Sequence, residues 1–271
     1  MKNVLITGAS SGIGKETALL FAKKGWNVIA TMILIEEIEE FKAFPSIKSY
    51  LLDVTSTQSI LAAKKAILTD FKTIDVIINN AGIGYRSFVE LSEDVQIDAI
   101  VSVNWLGVVK MCRAFIPVFR EQNQGHFINI TSVAGLVNLP LGSFYHSTKQ
   151  SVESFSECMA YELLNFNISV CTVQFGNTAT NFQKNVTKSD PTTIPSYNAL
   201  MDKISAILIK KSNKNSHLTS DITHKLVSIA ENPSKNFRRY TIGFDANAMK
   251  YLRAFLGYRG FNSVIRSFVL K

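Results

Sequence analysis

The stretch Val4-Leu-Ile-Thr-Gly-Ala-Ser-Ser-Gly-Ile-Gly14 decides the fold. Its first four residues are a short apolar, β-branched run and read as a buried strand. Ile13–Lys24 then shows helical spacing, with Ile13, Thr17, Leu20 and Phe21 along one face. Between the two, Gly8, Gly12 and Gly14 form a G-x-x-x-G-x-G turn. Glycine lets the backbone turn tightly and approach a pyrophosphate, whose charge then faces the helix N-terminus. Taken alone, such a loop is equally a plain tight turn. The strand before it and the helix after it favour a phosphate cradle.

Outward from the loop, strand and helix alternate. Further short apolar runs lie at Val28–Thr31, Ser49–Leu52, Val76–Asn79, His126–Thr131 and Ile168–Phe175, with Arg239–Ile242 as a last strand. Ser56 or Thr57 can cap a helix running to about Asp70, and Ser92 one covering Val95–Val101. This alternation predicts a single α/β domain over 1–271, doubly wound and Rossmann-like, with a mostly parallel seven-stranded sheet and helices on both faces. The pattern changes after Phe182. Residues 183–196 are polar and hold Pro191 and Pro195; Tyr197–Lys211 is helical, with Leu200, Ile204, Ile207 and Leu208 on one side. A polar run, Ser212–Ser216, precedes a second helix at about Ser220–Glu231. Residues 183–231 are expected to cover the substrate, and 246–271 to form a helical extension broken at Gly257 and Gly260.

The composition, 46% hydrophobic and 18% charged, is that of an ordinary globular chain. No stretch approaches the roughly 20 uncharged apolar residues of a membrane span, and the N-terminus enters a strand directly, so a cytoplasmic location is expected. Cys112, Cys158 and Cys171 lie in apolar runs without metal spacing, and the four histidines are scattered; no metal site is expected. The net charge of +8 is uneven. Residues 1–183 hold 14 Lys/Arg against 16 Asp/Glu, and residues 184–271 hold 15 against 5. Such a surplus suits an anionic partner or is simply a solvated basic surface. It lacks the aromatic-basic interleaving that binds single strands, so no nucleic acid is expected.

Two polar constellations remain. Asp53-Val54 and Asn79-Asn-Ala-Gly82 fall at carboxyl ends of strands, where an open parallel sheet binds ligands. Tyr145-His-Ser-Thr-Lys149 opens a long helix and puts a phenol and an ammonium four residues apart on one face. A neighbouring cation favours phenolate and draws its pKa down toward working pH, as a general acid/base requires. Singly, each of these matches chance caps, turns or a solvated lysine.

Together, Thr7–Gly14, Asp53, Asn79–Gly82, Asn104, Ser132 and Tyr145…Lys149 resemble the short-chain dehydrogenase/reductase family. Ser132 precedes Tyr145 by 13 positions, the interval customary there, and the resemblance covers roughly residues 3–182. It implies an NAD(P)-dependent oxidoreductase. Tyr145 would exchange a proton with a carbonyl or alcohol, and Lys149 would lower the Tyr145 pKa and hold the nicotinamide ribose. Ser132 would hydrogen-bond the substrate oxygen, and Asn104 would fix a water linking Lys149 to solvent. Cofactor contacts would come from Gly8, Ser10, Ser11, Gly12, Ile13, Gly14, Met32, Asp53, Val54, Asn80, Ala81, Gly82, Tyr145, Lys149, Gly176, Thr178 and Thr180. It also implies a homodimer or homotetramer through the helices around Asn104–Glu121 and Ser147–Leu164. The rival reading is a catalytically silent nucleotide sensor on the same fold, which would be expected to lack the Tyr or the Lys.

Two departures bear on detail. Phe175-Gly176 stands where relatives carry Pro-Gly, which frees a φ angle in the pocket wall. Met32 and Ile33 stand where an acid would select NAD and an arginine NADP. Lack of the acid removes the stronger exclusion and tips the balance toward NADP(H) over NAD(H). Phe182, Ile194, Tyr197, Leu200 and Ile204 make the covering segment apolar, which favours a hydrophobic, lipid- or steroid-like carbonyl or alcohol, or merely seals the segment. Phe261, Val264, Ile265, Phe268 and Val269 follow helical spacing, and Met249–Lys271 holds five Lys/Arg and no acid. That pattern suits packing on the core or a partner better than contact with an anionic membrane.

Overall fold

The structure, a computed structural model, describes residues 1–35, 38–176, 182, 185–188, 192–214 and 218–270. Seven strands hydrogen-bond side by side, every pair parallel: β1 (Asn3–Thr7), β2 (Asn27–Met32), β3 (Ile47–Leu51), β4 (Val76–Asn79), β6 (Gly125–Ile130), β7 (Ile168–Phe175) and β9 (Arg238–Ile242). Their order, β3-β2-β1-β4-β6-β7-β9, runs outward in both directions from β1 and β4. Connections leave those two strands on opposite sides, and a crevice opens between their carboxyl ends.

Period-two alternation sends Val4 and Ile6 to one face of the sheet and Leu5 to the other, and all three are buried. Burial on both faces is why the strands read as unbroken apolar runs. One face packs on Phe21 and Trp26 with α1 (Gly12–Lys23) and on Ile222 and Leu226 of α8 (Leu218–Glu231). The other packs on Ile60 and Ile67 of α3 (Thr57–Asp70), Met111 and Phe115 of α5 (Gly107–Gln122), and Val152 and Met159 of α6 (Ser143–Glu162). Fully burying each such side chain contributes about 1.5–3 kcal/mol.

Caps and breaks adjust the expected boundaries. Ser56 caps α3 by accepting from the Ser59 amide, 3.1 Å. Ser92 does not cap α4 (Asp94–Val101): Glu93 stands at the cap, and the Ser92 hydroxyl donates to Phe88 O, 2.7 Å. From Asp94 to Gln122 the helix is continuous, passing through a five-residue π turn, Ser102–Leu106. By length and composition this stretch is apolar enough to cross a membrane, contrary to the sequence expectation. Its apolar side is the one that α5 lays on the sheet through Met111, Cys112, Phe115 and Phe119.

The last third adds α7 (Pro195–Lys214), α8 and a final helix, α9 (Phe244–Leu270). Gly257 breaks α9 with φ 60° and ψ −170°; Gly260, the other expected break, lies within the second half. Left-handed φ is cheap only for glycine. A two-residue parallel pair, β5 (Tyr85–Arg86) with β8 (Thr187–Lys188), was not legible in the sequence.

Helix α6 is fastened to the sheet by one acid. Glu153 is buried, and its carboxylate accepts from Thr131 Oγ1 just after β6, from Thr172 Oγ1 (2.8 Å) and Gln174 Nε2 (2.8 Å) on β7, and from Arg239 Nε (3.0 Å) on β9. Removing one partner from a buried charged network leaves the others desolvated and unpaired. Glu153→Ala is therefore expected to lower unfolding stability by about 3 kcal/mol or more, with Glu153→Gln losing less. Urea titration of the three proteins checks this, and a loss under about 1 kcal/mol for the alanine variant would contradict it.

Candidate active site

The glycine turn is built from backbone. Gly8 and Gly12 have φ of 66° and 55°, and a Cβ on Gly14 would lie 2.3 Å from Gly8 O. Thr7 at the end of β1 accepts with its hydroxyl from the Asn80 and Ala81 amides, both 3.0 Å. Asn80 Nδ2 donates back to Thr7 O (2.9 Å) and Gly8 O (3.1 Å). The loops after β1 and β4 are thereby locked together across the crevice. Asn80, one of the expected cofactor contacts, braces the turn with its side chain. Ser11 stands at the cap of α1 without a side-chain cap bond, and no acid sits in the first turn. A helix start so arranged offers free N–H groups and a partial positive charge to an anion. Ser10, Gly12 and Ile13 are partly exposed there. The cradle fits a pyrophosphate: bare backbone, glycines a side chain would fill, and an open helix N-terminus.

On the adenosine side the structure departs from the expectation. Met32 is 1% exposed, its side chain in the core, and the side chain facing out beyond β2 is Ile33, 67% exposed, followed by exposed Leu34 and Ile35. Asp53 Oδ1 accepts from Thr55 N and Thr55 Oγ1, both 2.8 Å, and so fixes its own turn. Val54 is buried against Gly107. Gly176 lies at the end of β7, where a Cβ would meet Asp245 Oδ2 at 2.1 Å. Thr178 and Thr180 lie outside the described residues.

The four expected catalytic residues come together next to this cradle. Tyr145 and Lys149 sit one turn apart on α6, with Lys149 Nζ 5.8 Å from the Tyr145 ring centre. Ser132, just beyond β6, lies near enough to the Tyr145 hydroxyl to favour its phenolate, while its own hydroxyl accepts from Ala134 N (3.2 Å) and donates toward Phe175 O (3.4 Å). Asn104, buried in the π turn, holds Ile83 by both backbone groups: Oδ1 accepts from Ile83 N (2.8 Å) and Nδ2 donates to Ile83 O (2.9 Å). The place of a Gly82 Cβ lies 3.3 Å from Asn104 Oδ1 and 3.7 Å from Lys149 Nζ, so these groups face one small volume. A π turn re-aims one residue out of the helical register, which is what brings Asn104 under Gly82.

Burial sets the electrostatics. It pushes the Tyr145 hydroxyl up to about 12, against the Ser132 hydroxyl, which lowers it. It pushes the Lys149 ammonium down to about 8, against the Glu153 charge, which raises it. The expected depression of Tyr145 by Lys149 is not the outcome in the protein alone. The ammonium is directed to Ile130 O, 3.1 Å away, and desolvation outweighs it.

One wall is apolar. Phe182 stands 6.0 Å from the Tyr145 ring, and Val186 and Phe182 close on Gly84, where a Cβ would lie 2.6 Å from Val186 Cγ2. The β5–β8 pair fixes that approach. Tyr197 of α7 stacks on Phe88 at 4.0 Å and donates to Glu90 Oε2 at 2.8 Å, so the covering helix is held to the rim. Glu153, Gly84 and Val186 were missed by sequence reasoning; Thr7 was read only as the opening of the glycine stretch, without its bonds to the loop after β4.

A family model described as short chain dehydrogenase matches residues 2–191. The 3-ketodihydrosphingosine reductase of Bacteroides thetaiotaomicron is 37% identical over 182 residues, covering 67% of this chain and 66% of that protein, so the match falls just short of two thirds of the relative's length. A short-chain dehydrogenase from Streptomyces avermitilis superposes with a TM-score of 0.83 at 26% identity, over 98% of this chain and 97% of that one. ElxO with NADP bound superposes with a TM-score of 0.73 at 26% identity, over 89% and 97%.

Lys149 carries a pH signature. Between about pH 8 and its ordinary value of 10.5 the unfolded chain binds a proton that the folded chain does not, so stability rises with pH across that window. Below it the desolvation cost is fully present. Lys149→Met removes this cost along with the Ile130 hydrogen bond, and without added dinucleotide it should be about 2 kcal/mol more stable than the parent at pH 7. Chemical denaturation from pH 6 to 10.5 should show that advantage shrinking above pH 8. A constant difference would contradict the assignment.

Proposed function

The chain belongs to the short-chain dehydrogenase family, and on that premise we propose that it is an NAD(P)-dependent oxidoreductase acting on a carbonyl/alcohol pair. The observation that carries this is the meeting of Tyr145, Ser132, Lys149 and Asn104 beside a backbone cradle fit for a pyrophosphate. The dinucleotide, when bound, supplies or accepts hydride at the nicotinamide. The chain's residues do the rest. Tyr145 gives its proton to the carbonyl oxygen, or takes one from the alcohol, and Ser132 donates a hydrogen bond to that oxygen as charge develops. Lys149 keeps a cation beside the phenol and would hold the nicotinamide ribose, while Asn104 fixes the floor at Gly82–Ile83 and would hold a water that links Lys149 to solvent. Gly8, Gly12, Gly14 and the start of α1 take the pyrophosphate. A silent nucleotide sensor is the poorer account, because both the phenol and the ammonium are present and aligned.

Three finer assignments rest on this reading. The substrate is hydrophobic, supported by the wall of Phe182 and Val186 and by the Bacteroides relative, which is named for a lipid ketone. NADP(H) is the preferred cofactor, supported by the uncharged Ile33 at the end of β2, where an acid would repel a 2′-phosphate, and by the NADP in ElxO. The working form is a homo-oligomer through α4–α5 and α6, supported by the exposure of Tyr161 and Leu164 near the end of α6.

Dinucleotide titration followed by a carbonyl and alcohol panel, read by reduced-nicotinamide absorbance, tests the whole. Tyr145→Phe should lower turnover by about 10²-fold or more while dinucleotide affinity stays within about twofold of the parent; undiminished turnover would overturn the acid/base role. Ile33→Arg should raise the preference for NADP(H) over NAD(H) about tenfold by adding a cation for the 2′-phosphate. An unchanged ratio would show that the ribose lies elsewhere.

A further inference from the structure

Helix α9 carries an aromatic stripe that the fold does not use. Phe244, Tyr251 and Phe255 are 91%, 66% and 87% exposed, and Tyr258, just past the break, is 84% exposed. Spacings of seven and four put the first three on one side of a helix, with exposed Ala248 between them. The opposite side does the packing. Ala246 is fully buried, and beyond Gly257 so is Phe261, while Phe268 receives Lys203 of α7 on its carbonyl and has the same ammonium 4.3 Å from its ring centre. Of the expected apolar face, Phe261 is buried, Ile265 and Phe268 are partly buried, Val264 is 46% exposed and the Val269 side chain lies outside the described residues, so the outward aromatic stripe comes from the preceding residues.

The stripe is also basic. Between Met249 and Lys271 there are five Lys/Arg and no acid. Arg253 lies 3.5 Å from the Tyr258 ring centre and Lys250 5.8 Å from that of Tyr251, so cations ride on the exposed rings, and Arg259 and Arg266 are exposed further along. Its position is definite: Phe244 follows β9, and Asp245 beside it touches Gly176, so the stripe starts at the carboxyl rim of the sheet, where the candidate site lies.

We propose that this stripe docks the protein on an anionic lipid bilayer, with the four rings at the headgroup–acyl boundary and the cations on lipid phosphates. Phenylalanine and tyrosine beside arginine and lysine match that boundary, where one end of each side chain is apolar and the other wet. Charge argues against a second copy of the chain as the occupant. A two-fold interface sets a patch against itself, and here it would bring Lys250, Arg253, Arg259 and Arg266 against the same four cations, with Asp245 the single acid of α9. An oligonucleotide would need a groove tracking its backbone, whereas Phe244, Tyr251 and Phe255 lie along one side of a helix.

Flotation of the full chain with vesicles of phosphatidylglycerol and phosphatidylcholine, against vesicles of phosphatidylcholine alone, tests the proposal. The expected result is at least about tenfold greater recovery on the anionic vesicles, reduced by about 1 M salt. The triple variant Phe244→Ser, Phe255→Ser, Tyr258→Ser should lose at least about tenfold of that recovery. Its melting temperature should match the parent's, because the rings are exposed. Failure of the parent to float, or undiminished flotation of a folded variant, would overturn the proposal. So would a lipid-free dimer that the triple variant dissociates, or an equal affinity for a 20-nucleotide strand. Flotation reads attachment and not turnover, so its failure leaves the oxidoreductase reading standing, and failure of that reading leaves this one standing.

Discussion

The Glu153 carboxylate is the point through which the site is held in shape. Helix α6 supplies the acid, and donors from the end of β6, from β7 and from β9 meet on it, the Thr131, Thr172 and Gln174 groups buried and Arg239 reaching in from the surface. Helix α6 carries Tyr145 and Lys149, and Ser132 follows directly after Thr131, which is bonded to the same acid. The distance between the phenol and the serine is therefore set by a group that touches neither. A buried acid is tolerable only with such a set of partners. With them, it converts the pleat of the sheet into a fixed separation between two reacting groups.

The second half of the site is held in a different way. Around the glycine turn the fastening is backbone to side chain: Thr7 takes two amides from the loop after β4, and Asn80 returns two bonds to the loop after β1. No charge is spent there, and the helix N-terminus stays open. One side of the crevice thus presents oriented peptides, and the other carries Tyr145 and Lys149, which burial has moved away from their ordinary ionisation. The two are joined at Gly82, where Asn104 and Lys149 both arrive.

Much of this was legible in the chain of letters, for identifiable reasons. The five inner strands, buried on both faces, produce apolar runs with no alternation to mistake, and all seven strands, the partly exposed edges β3 and β9 included, fell within two residues of their observed ends. The spacing of Tyr145 and Lys149 fixed their common face, and the glycines marked where side chains could not go. What sequence missed was what depends on surroundings. Glu153 reads as a solvated helix acid until Thr172 and Arg239 are seen beside it. Met32 sits at the expected cofactor position, but strand parity turns it inward and leaves the rim to Ile33. The direction of the Tyr145 shift follows from desolvation, which no spacing reports. Helical periodicity in the tail named an apolar face without saying that α7 would take it, and the outward stripe had to be read from exposure.

Positions 176 and 245 illustrate what such a fold does to sequence change. Glycine at the end of β7 has the Asp245 carboxylate pressed where its side chain would be. A side chain at 176 would push that carboxylate aside, and with it the bond its Oδ1 accepts from the Ala246 amide at the start of α9. A change at the end of β7 is therefore felt far along the chain, in the first turn of the tail helix.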